Sequence, residues 1–239
     1  MASNPNSQKK QQPFKWERIL VIVQDIWTDK FPNDDNYDFS IWAEWESRIS
    51  KGREEEEKRI AENIRQMESR LTPEQKESMP DDWFVDDYRH TYEVSNSMYA
   101  ALVVSLWSCM EGLLKDLVGV CRQARRSNKK SSYKFGQIED YFEKIGIKLE
   151  LLPKYPVVNA VRILNNSFKH SEGLYMPKSG RPDTIINPNL LSRWKCISDR
   201  FVDLKAIDYT KLPIREIVID CNLFCQSLLS AVKKNLEGL

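Results

Sequence analysis

The residues best suited to chemistry lie in one short stretch, Arg162 to His170. Arg162, Asn166 and His170 are spaced by four residues, so on a helix they share one face and span about 12 Å. Histidine exchanges protons near neutral pH, asparagine can orient it or a substrate, and arginine with the adjacent Lys169 stabilises negative charge. This pattern predicts acid–base chemistry on an anionic substrate. The structural alternative is that His170 is a cation that suits the end of a helix.

Two further groups are candidates for the same chemistry. Glu111 is the single acid in the apolar run 106–114, where a lone buried carboxylate would be costly. It either pairs with a nearby Lys or Arg, or faces Arg162 or His170 and tunes the histidine. A basic segment without acids follows the same run, which predicts either a solvated helix end or a loop that holds an RNA backbone. Its cations are Arg122, Arg125, Arg126, Lys129, Lys130 and Lys134.

The composition narrows the functional classes. The net charge is +1 over 239 residues, so any contact with nucleic acid has to come from a local patch. Five widely spaced cysteines predict reduced core thiols, and two histidines are too few for a typical zinc site. No metal or cofactor is expected, since the sequence contains no glycine-rich nucleotide loop, zinc pattern or hydrolase signature.

No signal peptide or membrane span is predicted from the sequence. The N-terminus is polar, and no secretory apolar segment follows it. The longest mainly apolar run, 100–110, is far shorter than the roughly 20 residues that a membrane helix needs. The cytoplasm is therefore the expected compartment, and no membrane partner is expected.

Apolar residues recur at intervals of three and four through most of the chain, which predicts a helical protein. The longest such run, 92–126, is apolar nearly all round and predicts a helix in the middle of a bundle. The chemistry-bearing stretch ends a helix predicted over 157–170, which Gly173 terminates. The other helices predicted from this periodicity cover 14–31, 40–70, 136–145 and 214–236, with a short one starting at Pro73.

The segments outside these helices set the expected domain organisation. Residues 1–12 are polar and predict a disordered tail. Residues 13–80 are expected to form an N-terminal helical region, and 81–239 a helical bundle. Before the last helix, the segment 174–213 predicts an irregular or β-hairpin-like insertion, with short strands near 190–197 and 201–204. The expected fold class is all-α.

The order of these elements resembles that of the HEPN superfamily, small helical bundles found in prokaryotic defence and toxin systems. The resemblance covers roughly residues 90–235. It rests on a long buried helix with one mid-run acid, Glu111, and on the connector Gly-Ile-Lys-Leu at 146–149. It also rests on an Asn-x-x-x-His motif followed by Ser-x-Gly, from Asn166 to Gly173. Active members commonly carry Arg-Asn-x-x-x-His, and Asn165 stands at the arginine position here.

The resemblance implies a homodimer in which two motifs face one cleft and cleave RNA without a metal. Asn166 and His170 match the motif, whereas Asn165 cannot supply the permanent cation of an arginine. Arg162 or Lys169 would have to supply that charge. Two functions remain open: a metal-independent endoribonuclease of an antiviral defence or toxin–antitoxin system, and a catalytically silent module that binds RNA, a nucleotide or a partner protein.

Overall fold

The structure is a computed structural model that describes residues 40–78, 80, 85–127, 134–171, 173–176, 184–201 and 204–237. Within these ranges the protein has seven α-helices and one two-stranded sheet, so the all-α prediction is confirmed. The predicted tail 1–12, the predicted helix 14–31 and the two cations Lys129 and Lys130 lie outside the described residues.

A 40-residue helix, α3 (Val85–Ala124), forms the centre of the fold. Its apolar positions recur all round the helix, and Leu106, Met110 and Leu114 are at most 1% exposed. Each buried side chain of this size contributes about 1.5–3 kcal/mol of hydrophobic stabilisation. The helix begins before the predicted start at residue 92. Because residues 85–90 are all exposed, no apolar stripe marks them as helical.

The length and composition of α3 would also allow it to cross a membrane. However, half of its most apolar stretch is buried inside the protein. The core helix of a soluble protein has the same properties, and the packing of α3 in the bundle fits that description.

Helix α1 (Ser40–Glu68) packs against α3 and against the last helix of the chain. Trp42 and Ile49 are its contribution to the main hydrophobic cluster. Helix α1 therefore shares the core of the bundle. A short helix, α2 (Pro73–Glu77), follows and begins with a capping box at Thr72.

Helices α5 (Tyr155–Ser171) and α7 (Ile214–Glu237) pack on α3 and on each other. Helix α4 (Phe135–Lys144) packs on α3, and Gly146, whose φ of 85° favours glycine, follows its C-terminal end. The helices predicted over 40–70, 136–145, 157–170 and 214–236 are confirmed with ends that shift by at most two residues. The start predicted at Pro73 is also confirmed.

The segment before α7 differs in part from the prediction. Strands β1 (Ile197–Phe201) and β2 (Leu204–Ile207) form an antiparallel hairpin, as expected for this insertion, but they lie later in the chain than the strands predicted near 190–197 and 201–204. The strand predicted at 190–197 is wrong over most of its length, because helix α6 (Pro188–Trp194) occupies it. The side chain of Asn187 caps this helix and Pro188 fits its first turn.

Candidate functional site

Three residues of α5 that were predicted to act together border one cavity. Arg162, Asn166 and His170 lie along one side of the helix, as their spacing predicts, and the cavity measures about 320 Å³. Among the described residues that line it, Arg162 is the only permanent cation. The other lining residues are Ile163, Ser167, Ser171, Tyr175, Met176 and Thr184.

The opposite side of α5 fixes this orientation, because its side chains are buried in the core. Val158, Val161 and Leu164 are fully buried. The hydroxyl of Tyr209 donates to the carbonyl of Leu164 at 2.8 Å, and burial raises the pKa of that tyrosine. A rotation of α5 that moved His170 out of the cavity would therefore expose core residues.

The last turn of α5 carries His170 and is closed by a glycine. Gly173 adopts a φ of 79°, and its N–H donates to the carbonyl of Ser167 at 3.1 Å. This bond satisfies a carbonyl at the helix end that would otherwise lack a partner. The turn is thus ordered, while the imidazole itself is exposed on the cavity rim.

Two helices hold the side chain of Arg162. Its Nε and Nη2 donate to Oδ1 of Asn159, at 3.1 and 2.7 Å, from one turn earlier on α5. The guanidinium also lies over the ring of Phe135, 4.9 Å from its centre, at the start of α4. These contacts keep a half-buried cation at the cavity wall.

A carboxyl group that the sequence did not single out lies near Arg162. Glu139 of α4 accepts a hydrogen bond from the hydroxyl of Tyr155. Burial raises the pKa of Glu139, while that bond and the charge of Arg162 act in the opposite direction. Burial and the bond to Glu139 also raise the pKa of Tyr155. The available sequence signal was weak: Phe135 and Glu139 are four residues apart on an amphipathic helix.

Asn165, at the arginine position of the resembled motif, is buried and 3% exposed. Its Nδ2 donates to Oδ1 of Asn166 at 3.1 Å, and its own Oδ1 has no hydrogen-bond partner among the described residues. Asn165 is therefore placed behind the cavity wall, where it orients the amide of Asn166.

Two other candidates do not border the cavity within the described part of the chain. Lys169 is exposed beside it on α5. Glu111 forms an ion pair with Lys115, one turn later on α3, with 3.1 Å between Oε1 and Nζ. This pairing corresponds to the structural alternative for Glu111.

Two cations of the basic segment take part in packing at the end of α3. The guanidinium of Arg122 lies over the ring of Tyr141 of α4, 5.0 Å from its centre. Arg125 donates to the side chain of Asn235 on α7. These arginines join three helices, which makes them part of the fold as well as candidates for binding.

The other described cations of the segment, Arg126 and Lys134, are exposed. Arg126 follows the end of α3, and Lys134 is the N-cap of α4. Lys129 and Lys130, which lie between them in the sequence, fall outside the described residues. Arg126 and Lys134 are accordingly the described cations of this segment that a nucleic acid can reach without disturbing the packing.

No group of three or more His, Cys, Asp or Glu side chains suited to a metal ion occurs within the described ranges. The five cysteines are free thiols, and four are buried. Burial raises the pKa of Cys121 and of Cys196 to about 11, which keeps these thiols protonated at neutral pH. They are core residues, as expected.

Comparisons with protein-family models, with curated proteins and with solved structures give no significant match to this chain. A function therefore has to be inferred from the cavity that α5 borders. It combines a fixed guanidinium, an amide and an imidazole, and groups of these kinds can hydrogen-bond to a phosphate.

Proposed function

We propose that this protein is a HEPN-like protein of a prokaryotic defence or toxin system, and that it binds and cleaves RNA without a metal. The observation that supports this most is the placement of Arg162, Asn166 and His170 along one cavity wall. An arginine and a histidine that border one cavity can supply charge neutralisation and proton transfer, which phosphodiester cleavage requires.

In the proposed reaction, His170 takes the proton from a ribose 2′-hydroxyl. The 2′-oxygen then attacks the adjacent phosphorus, the bond from phosphorus to the 5′-oxygen of the next nucleotide breaks, and that oxygen takes a proton from water. Asn166, one turn from His170, orients the phosphate that is attacked, and Arg162, at the other end of the cavity, binds a neighbouring phosphate of the RNA backbone. The products are a 2′,3′-cyclic phosphate and a 5′-hydroxyl.

The remaining parts of the proposal concern assembly and location. The protein acts as a homodimer, in which a two-fold axis brings two cavities to one cleft. Arg126 and Lys134 contact the RNA backbone outside the cavity. The compartment is the cytoplasm, where a partner protein of a defence or toxin–antitoxin system would also be found.

The test is incubation of the purified protein with total cellular RNA in EDTA. The wild type is compared with His170→Ala, Arg162→Ala and the matched control His90→Ala, which removes an exposed histidine from α3. Cleavage should be lost in the first variant, strongly reduced in the second and unchanged in the control. RNA cleavage by His170→Ala at the wild-type rate would overturn the proposed mechanism.

A second function, a catalytically silent module that binds RNA, a nucleotide or a partner protein, has its own support. Asn165 is buried at the position of the motif arginine, and Arg162 is engaged by Asn159 and Phe135. A silent module of this kind should bind RNA without cleaving it. The double substitution Arg126→Ala with Lys134→Ala should weaken RNA binding, and His170→Ala should leave it unchanged. Binding is best measured with RNA that carries 2′-O-methyl groups, which this chemistry cannot cleave.

A further inference from the structure

Part of the lining of the α5 cavity comes from the chain that follows this helix. Tyr175 and Met176, which come just after the turn at Gly173, both border the cavity. Tyr175 also packs against the main hydrophobic cluster, whereas Met176 is 58% exposed. The cavity therefore joins the polar side chains of α5 to an aromatic and a thioether side chain, which have no role in the proposed reaction so far.

The β-hairpin holds this part of the lining in place. The N–H of Tyr175 donates to the carbonyl of Lys205 at 2.8 Å. The N–H of Ile207 donates in turn to the carbonyl of Gly173 at 2.9 Å. Between these two bonds, Leu174 forms an antiparallel bridge with the same strand, β2. The backbone that carries Tyr175 is therefore tied to the sheet.

The side chain of Tyr175 is fixed at its far end as well. Its hydroxyl oxygen accepts a hydrogen bond from the N–H of Ile186 at 3.1 Å, shortly before α6 begins. Ile186 is itself fully buried. A tyrosine that is held by its backbone and by its hydroxyl has little freedom left to lose, so a planar group can stack on it with little further ordering cost.

The size and chemistry of the cavity suit a single nucleotide. Its volume of about 320 Å³ is near the lower limit for small-molecule sites, roughly 300–1,000 Å³. The guanidinium, amide and imidazole of α5 can bind a phosphate, and aromatic and apolar side chains can stack on a base of any kind. In an A-form duplex the bases are paired and stacked inside the helix, so they are not free to enter such a cavity.

We infer that the cavity receives one nucleotide of a single-stranded RNA, with its base unstacked and placed against Tyr175 and Met176. It follows that the site does not cleave within an RNA duplex. This inference rests on the proposed function and deepens it, because it names the kind of RNA that the site takes and the residues that select it.

The first test isolates the contribution of the base with two ligands that differ by it. Adenosine 5′-monophosphate and ribose 5-phosphate are titrated into the full-length protein, and binding is followed by NMR. Stacking of a base on an aromatic side chain strengthens binding by about 5- to 100-fold, so the nucleotide should bind more tightly than the sugar phosphate by that factor. Arg162→Ala should weaken both ligands, which would locate them in this cavity.

Two variants remove parts of the proposed base-binding surface. Met176→Ala shortens an exposed side chain and should leave the fold intact, whereas Tyr175→Leu removes the ring but keeps an apolar group against the core. Each should weaken binding of the nucleotide by about 2- to 10-fold and leave binding of ribose 5-phosphate unchanged. The control is Tyr88→Leu, at a 40% exposed position on α3, which should change neither affinity.

The second test compares one fluorescent RNA as a single strand and annealed to its complement, in EDTA. Cleavage should be confined to the single strand. Cleavage of the duplex at the same rate would overturn the inference and leave the proposed ribonuclease activity in place. Equal affinity for the two small ligands, or equal losses of both in the two variants, would have the same meaning.

Failure of the proposed function would give a different result. A protein that binds the nucleotide through its base but cleaves no RNA would retain the nucleotide site and lose the proposed activity. A protein that binds neither ligand and cleaves no RNA would overturn both.

Discussion

The two ends of the α5 cavity differ in how their side chains are held. Arg162 is half-buried and fixed by Asn159 and Phe135, with Glu139 nearby. His170, two turns later, is exposed on the last turn of the helix. One end of the site is therefore ordered before a ligand arrives, whereas the other is open to solvent.

This difference suggests that Arg162 and His170 have separate roles in the proposed reaction. A fixed guanidinium has already lost its conformational freedom, so it binds a phosphate with little further ordering cost. An exposed histidine needs the substrate, or the second subunit of the proposed dimer, to orient it for proton transfer. Substitution of His170 should accordingly change mainly kcat, and substitution of Arg162 should change mainly the affinity for RNA.

The largest expected effect is that of His170→Ala. Since general acid–base catalysis contributes about 10²–10⁴-fold, kcat for RNA cleavage should fall by that factor. Because the imidazole is exposed, Tm and the affinity for uncleavable RNA should stay near the wild-type values. Turnover is measured on a short fluorescent RNA in EDTA, with His90→Ala as the control. A matching loss of Tm would mean that the residue has a structural role instead.

Arg162→Ala should have the next largest effect, and on a different quantity. Loss of a charge-assisted contact with a phosphate weakens binding by about 10- to 100-fold. Tm should fall as well, since the change leaves Asn159 and Phe135 without their contact. Arg162→Lys should restore little, because an ammonium cannot reproduce the planar, stacked geometry. Full rescue by lysine would show that charge alone matters there.

Smaller effects are expected from the residues that hold Arg162. Phe135→Leu removes the ring beneath the guanidinium but keeps an apolar side chain beside Trp107. RNA affinity should fall about 2- to 5-fold, in line with the loss of a cation–π contact. In the Arg162→Ala background the same change should have no effect on affinity. An equal loss in both backgrounds would place Phe135 in direct contact with RNA.

The sequence predicted which residues of α5 share a face better than it predicted the contacts from other helices that hold them. The four-residue spacing was enough to bring Arg162, Asn166 and His170 to one cavity, because local helical geometry dictates that arrangement. The contacts from Phe135 and Glu139 depend on how α4 packs beside α5, and no periodicity within one helix carries that information. The strand predicted at 190–197 was wrong for a local reason, since the Asn-Pro pair at 187–188 starts a helix.

The smallest expected effect is on the pH dependence of stability, and it comes from Glu139, which lies near Arg162. Burial raises the pKa of Glu139 above its ordinary value of 4.5, so folding favours the protonated carboxyl. That stabilising contribution is complete below pH 4.5 and is lost as pH rises through the folded-state pKa. Glu139→Gln keeps a carbonyl that can accept the bond from Tyr155 and cannot ionise.

The Tm of Glu139→Gln relative to the wild type should therefore rise between about pH 4 and pH 7. The rise should be a few degrees at most, because the charge of Arg162 offsets part of the cost of burying the ionised carboxylate. Calorimetry at several pH values measures this difference. Glu143→Gln, at an exposed position on α4 that does not act on Glu139, is the matched control and should show no such rise. If the relative Tm falls as pH rises, the attraction between the ionised Glu139 and Arg162 outweighs the cost of burying the carboxylate. Ion pairing would then dominate at the Arg162 end of the cavity.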